Sequence, residues 1–76
     1  MKKDISIKTG IYKHYKGNLY EVLLTARDSE TEEWMVVYRT LYEDVSTMWV
    51  RAYDMFTEII EIEGKRVKRF EYISRS

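Results

Sequence analysis

The chain predicts a mainly β fold, either a small antiparallel SH3-like barrel or a strongly curled sheet, with one short helical turn. Three observations predict it. Apolar and polar residues alternate over Leu19 to Arg27. β-Branched and aromatic residues recur through Ile11–Tyr15, Trp34–Leu41 and Val67–Ile73. Clusters of polar, turn-forming residues separate these runs at short intervals.

The first nine residues carry only a weak alternation at Ile5 and Ile7 and are expected as a flexible or edge-pairing segment, with residues 10–76 as a single β-barrel domain. Ile11 to Tyr15 forms the first strand. Gly17 and Asn18, which tolerate positive φ best, then turn the chain into a tight hairpin. In the second strand, Leu19 to Arg27, Tyr20, Val22, Leu24 and Ala26 share a side, which makes the even-numbered face the core face. Asp28 to Glu33 holds no apolar residue and connects to the third strand, Trp34 to Leu41. That strand is apolar on both faces, the pattern of a strand covered on both sides in a small closed barrel. Glu43 to Ser46 makes the next turn.

Residues 48–61 admit two readings. Met48, Ala52, Met55, Phe56, Ile59 and Ile60 fit the spacing of one long helix. Trp49-Val50 at the start and Ile59-Ile60-Glu61-Ile62 at the end favour strands. The preferred reading is a short strand through Arg51, a helical turn near Asp54 to Thr57, and a strand from Ile59 to Glu63. Glu63-Gly64-Lys65 then turns the chain into a last strand, Val67 to Ile73, the sixth.

A chain of 76 residues makes one small domain, which buries about 60% of the surface of its unfolded form. Seven Tyr, two Trp and two Phe supply much of its apolar area, so most of these rings belong to the core. The absence of Cys excludes disulfides, thiolate nucleophiles and Cys-based metal sites. No apolar run reaches the roughly 20 residues of a membrane span, and no apolar segment follows Met1-Lys2-Lys3-Asp4. Neither an anchor nor a secretory signal is expected, and the expected location is cytoplasmic.

Net charge is zero but unevenly spread: residues 1–20 carry five Lys against one Asp, and residues 28–63 carry ten acids against Arg39 and Arg51. Neutrality removes the electrostatic footprint of a nucleic-acid binder, so a protein, peptide or small ligand is favoured over nucleic acid, with no membrane partner. An open sheet of this size leaves edge strands, so a homodimer through Ile5-Ser6-Ile7 or Val67–Ile73 is a further expectation.

The blocks Gly10-x-Tyr12-x-His14-Tyr15-Lys16-Gly17-Asn18-x-Tyr20-x-Val22, Ala26-x-x-Ser29-Glu30-Thr31-x-Glu33, Val36-Val37-Tyr38, Leu41-Tyr42, Trp49-Val50-Arg51 and Met55-Phe56 follow one another in order. In these blocks the chain resembles, over residues 10–58, a family of small bacterial domains of unknown function, DUF1653. Two positions depart from that pattern. Asp28 stands where the family often has His before Ser-Glu-Thr, and Ala52 where it often has Pro after Trp-Val-Arg. The resemblance implies a compact bacterial cytoplasmic domain and transfers no mechanism; without a second imidazole at position 28, it implies no His-dependent chemistry at that loop.

The residues themselves suggest two functions. The first is a non-enzymatic binding or interaction module with an aromatic groove made by Tyr12, His14, Tyr38, Trp49 and Arg51, rimmed by Ser29, Glu30 and Thr31. The alternative is a small hydrolase or ligand-processing enzyme using His14 as general base with Ser29 or Glu30. No Gly-x-Ser-x-Gly elbow surrounds Ser29, and one His among scattered carboxylates gives no metal-ligand spacing, so no catalytic set, metal or cofactor is assigned. Ser29-Glu30-Thr31 with Glu33 also fits a polar turn whose side-chain oxygens satisfy its own backbone N–H groups. Trp49 and Arg51 share a strand face. Trp49 is expected as a core ring and Arg51 as the partner of Glu30, or next of Glu33.

Overall fold

A computed structural model of the chain describes residues 7–43, 45 and 47–75. Ile5 and Ser6 of the expected edge-pairing segment, and Asp44 and Ser46 of the expected turn, lie outside these residues. The elements run β1 (Gly10–His14), β2 (Leu19–Arg27), β3 (Trp34–Thr40), β4 (Met48–Ala52), α1 (Tyr53–Phe56), β5 (Ile59–Ile62), β6 (Lys65–Lys68) and β7 (Phe70–Ser74). Five strands form an antiparallel sheet in the order β4-β3-β2-β1-β7, and β5 pairs with β6 as a separate hairpin. β4 and β7 are edges of that sheet, not neighbours. The mainly β, antiparallel fold with one short helical turn is as the sequence predicts, and of its two forms, SH3-like barrel or curled sheet, the described strands show no closed barrel.

The β1–β2 hairpin forms where the sequence places it, but with a different turn. The His14 N–H donates to the Asn18 carbonyl at 2.8 Å and the Gly17 N–H to the His14 carbonyl at 2.7 Å. Of Gly17 and Asn18, only Gly17 takes a positive φ, 109°. Tyr15, Lys16 and Gly17 thus form a three-residue loop whose glycine absorbs the left-handed turn. Gly10 is needed for a different reason: at φ 136° a Cβ there would stand 2.5 Å from the Ser74 carbonyl oxygen, so its bare backbone lets β7 approach β1.

In β2 the alternation that marks the core face breaks midway. Val22 pairs with Tyr38 and Leu24 with Val37, so Leu23 is the extra residue of a bulge. Parity flips beyond it: Thr25, not Leu24, aligns with buried Val36, and Leu24 is half exposed. The flip also corrects the reading of β3 as covered on both sides. Leu24, Val37 and Val50 form a row on the face opposite the core, and Leu24 and Val50 are exposed.

The core occupies one side of the sheet and consists of Tyr12, Val22, Val36, Tyr38, Phe56 and Phe70, with Ile7, Tyr20, Tyr53 and Tyr72 packed against it. Residues 48–61 follow the strand, turn, strand reading. The helical turn starts at Tyr53 and delivers Phe56 into the core, where its ring stacks on Phe70 at 4.1 Å. Burying such a ring stabilises the fold by about 1.5–3 kcal/mol. The expected last strand is split in two at Arg69, which makes seven strands among the described residues, not six. Arg69 is the corner: its N–H donates to the Glu58 carbonyl at 2.9 Å, its carbonyl accepts from the Tyr15 N–H at 3.0 Å, and its guanidinium pairs with the Glu58 carboxylate at 2.9 Å. Among the described residues no helix is long and apolar enough to cross a membrane.

Candidate functional site

Register places Tyr38, Trp49 and Arg51 on the core side of the sheet, because side chains of paired residues share a face. Tyr38 pairs with Trp49, and Val36 with Arg51. Tyr42 joins them through buried Thr40, which fixes the connection from β3 to β4. The Thr40 hydroxyl donates to Glu43 at 2.8 Å and accepts from the Thr47 N–H at 3.0 Å, while the Thr40 N–H donates to the Thr47 carbonyl at 3.0 Å. Tyr42 then meets Tyr20 hydroxyl to hydroxyl at 3.2 Å, with their rings edge-on at 5.5 Å. The result is a cavity of about 260 Å³ lined by Tyr20, Tyr38, Tyr42, Trp49 and Arg51.

Arg51 is the centre of this cavity. Its Nε donates to the Tyr38 hydroxyl at 3.3 Å, and its guanidinium lies 5.8 Å from the Phe70 ring centroid. Among the described residues no carboxylate lies within ion-pair distance of it. The expected pairing with Glu30 or Glu33 does not form, and Trp49 is 50% exposed, not a core ring. Both corrections have one cause. β4 is an edge strand, so Trp49 has no strand beyond it to bury against, and Tyr38 on the next strand inward takes the core position. Arg39 behaves in the opposite way: on the other face of the sheet it is clamped by Glu21, with Nη2 at 2.6 Å and Nε at 2.7 Å.

The cavity carries more donors than acceptors. Arg offers five N–H donors and no acceptor, the Trp indole only a donor, and each Tyr hydroxyl one donor and an acceptor oxygen, of which the Tyr38 oxygen already accepts from Arg51. Burial, then the hydrogen bond to Tyr42, pushes the Tyr20 hydroxyl up to about 12, so it stays protonated. A group that fills this cavity must bring acceptors, and a planar anion matches the guanidinium fork best.

The other expected site residues divide. Tyr12 is a core ring, 7% exposed, whose hydroxyl donates to the Lys8 carbonyl at 2.8 Å. His14 packs edge-on against Phe70 at 4.9 Å and its Nδ1 accepts from the Lys16 N–H at 3.1 Å. Burial first, then Arg69, Arg51 and Lys16, holds its imidazole below the ordinary His value. Ser29, Glu30 and Thr31 belong to a self-contained turn organised by Asp28, whose Oδ1 accepts from the Glu30 N–H at 2.8 Å and the Thr31 N–H at 3.2 Å. Those two bonds lower the Asp28 carboxyl below its usual value. Thr31 Oγ1 in turn accepts from the Glu33 N–H at 3.2 Å. His14 lies beside the start of β2 and Ser29 follows its end. The length of that strand, roughly 25 Å at about 3.3 Å per residue, separates them, so His14 cannot act as base on Ser29 or Glu30.

A larger cleft of about 480 Å³ lies between Lys13–Tyr15 and Arg66–Lys68, with Glu71 at its wall. Its cations are solvated side chains, and among the described residues nothing fixes them as Tyr38 and Phe70 fix Arg51. No group of three or more His, Cys, Asp or Glu among the described residues is arranged to hold a metal ion. Tyr20, which the sequence assigns to the core face alone, also lines the cavity, and only the Thr40 bonds show that the chain after β3 returns Tyr42 over it.

Fold and site together define a small open-sheet β domain with a donor-rich aromatic pocket on one edge strand. The family model described as "Protein of unknown function (DUF1653)" matches residues 10–72, and the chain belongs to this family. A crystal structure of a DUF1653 protein from Bordetella bronchiseptica is 34% identical, with 92% of this chain and 91% of that one covered and a TM-score of 0.83. No curated protein matches the chain. The family match includes every residue that lines the Arg51 cavity.

Proposed function

We propose that the domain is a binding module that captures a carboxylate-bearing ligand on Arg51 and packs the planar part of that ligand against Trp49 and Tyr42. The observation that carries this reading is the guanidinium of Arg51, oriented by Tyr38 and Phe70, facing a cavity whose walls supply donors and lacking a carboxylate among the described residues. A partly buried cation without a counter-ion costs stability, and an incoming carboxylate recovers it through charge-assisted hydrogen bonds. About 260 Å³ suits one side chain or one ring better than a nucleotide, since sites for larger ligands run to roughly 300–1,000 Å³. Ser29, Glu30 and Thr31 have no part in this reading, because they belong to the separate turn held by Asp28 and do not line the Arg51 cavity.

Benzoate and its neutral isostere benzamide test it. With 15N-labelled protein, benzoate should shift the Arg51 Nε–H and Trp49 Nε1–H signals to saturation, benzamide should not, and Arg51→Met should abolish the response. Equal shifts from both compounds, or benzoate shifts centred on Lys13 and Arg66, would overturn the reading.

A further inference from the structure

Resting on that reading, we infer that the ligand is an extended peptide that adds to the free edge of β4 and places an acidic side chain on Arg51. β4 ends the five-stranded sheet, so one side of its backbone pairs with β3 and the other is open among the described residues. The Thr40 N–H donates to the Thr47 carbonyl, which makes that pair a hydrogen-bonded one. Pairs alternate along an antiparallel ladder. Trp49 and Arg51 therefore turn their N–H and C=O toward β3, while those of Val50 point outward. The edge also lacks the usual protections: Met48 to Ala52 holds no Pro, Lys or acid, and Met48, Trp49 and Val50 are all at least half exposed. The opposite edge, β7, carries the acid Glu71.

Register specifies the partner. In an antiparallel addition the peptide residue opposite Arg51 shares its face, at a cross-strand Cβ distance of about 4.5–5.5 Å, and an acid there reaches the guanidinium. The next residue lies opposite exposed Val50 on the far face, where an aliphatic side chain extends the row of Val50, Val37 and Leu24. The one after that lies opposite Trp49, where an aromatic ring can stack. The occupant is thus an extended segment reading acid, aliphatic, aromatic from N to C. Main-chain bonds to Val50 hold it, and Arg51 and Trp49 select it. A second copy of this chain is the poorer occupant. Its β4, paired antiparallel across Val50, would set each Arg51 opposite a Trp49 and leave both guanidiniums without a carboxylate.

Three nine-residue acetylated peptides decide the matter on the full chain: one with Glu-Val-Trp at its centre, one with Gln for Glu, and one with the central Val N-methylated, each compared with benzoate. The parent should bind and slow hydrogen exchange of the Val50 amide. The Gln peptide should bind at least about tenfold more weakly, since a hydrogen bond to a charged group is lost. The N-methylated peptide should be weakened at least as much, because it cannot donate to the Val50 carbonyl. An N-methylated peptide as tight as the parent, with benzoate still binding at Arg51, would overturn strand addition and leave the carboxylate reading intact. Failure of benzoate and all three peptides to shift Arg51 or Trp49 would remove both. A concentration-dependent dimer that protects the Val50 amide without peptide would give the edge to a second copy and overturn the peptide.

Discussion

The Asp28–Glu33 turn and the Arg51 cavity both present polar groups, and they are closed in opposite ways. In the turn, donors and acceptors answer one another locally: Asp28 accepts from the Glu30 and Thr31 N–H groups, Thr31 accepts from the Glu33 N–H, and the Glu32 N–H donates to the Asp28 carbonyl at 2.8 Å. In the cavity, a guanidinium with five donors has, among the described residues, the Tyr38 hydroxyl and an aromatic face beside it. The turn is rich in the residue types that suggest chemistry, yet Asp28 and Thr31 spend their side-chain oxygens on its own backbone N–H groups. The cavity is built mostly of aromatics, yet it leaves hydrogen-bonding capacity unused. What distinguishes the two is how far their hydrogen-bonding groups are already satisfied within the structure.

Substitutions can break this contrast. The largest effect is expected where cavity and core coincide: Phe70→Ala removes the ring beneath Arg51 and the stacking partner of Phe56, and should cost about 3–5 kcal/mol in chemical denaturation. Trp49→Ala, at the cavity rim, should cost less than about 1.5 kcal/mol, because half of the ring already faces water. A Trp49 variant as unstable as the Phe70 variant would make Trp49 a core residue and dissolve the rim. Next, Arg51→Met should lower affinity for benzoate by at least about tenfold while changing unfolding free energy by no more than about 0.5 kcal/mol.

Asp28→Ala should do the reverse, reducing Tm and leaving benzoate affinity unchanged. The Asp28 carboxyl is lowered in the folded chain. Its contribution is present above the ordinary Asp value and is lost as pH falls through the folded one, so the Tm difference from wild type should vanish in strong acid. The smallest effect concerns His14. Its value is lowered in the folded state from an ordinary 6.5, so the unfolded chain binds the proton first as pH falls. Stability should decline on acidification below about 6.5, down to the folded value. His14→Gln should flatten the slope of Tm between pH 7 and 5, and an unchanged slope would show that His14 titrates alike in both states.

Much of the fold was legible because it depends on local pattern. The β1–β2 hairpin follows from aromatic and β-branched runs around Gly17, and the strand, turn, strand course of residues 48–61 from Trp49-Val50 and Ile59-Ile60 flanking a short helical stretch. Val36, Tyr38 and Thr40 form the buried side of β3 as their alternation requires. Of the candidate site, the sequence placed Tyr38, Trp49 and Arg51 together but assigned Trp49 to the core and Arg51 to Glu30 or Glu33.

What the sequence by itself determined was the mainly β character, the turn positions and the aromatic make-up of the core, since these depend on φ preferences and on period-two burial within each strand. Only the tertiary structure decided which strands became edges. One bulge at Leu23 exchanged the faces of half of β2, and the order β4-β3-β2-β1-β7 left β4 without an outer neighbour. Neither result is visible in any single strand, because register and strand order are set by pairing between segments far apart in the chain. The position of β4 at an edge is what leaves Trp49 half exposed and Arg51 without a carboxylate among the described residues.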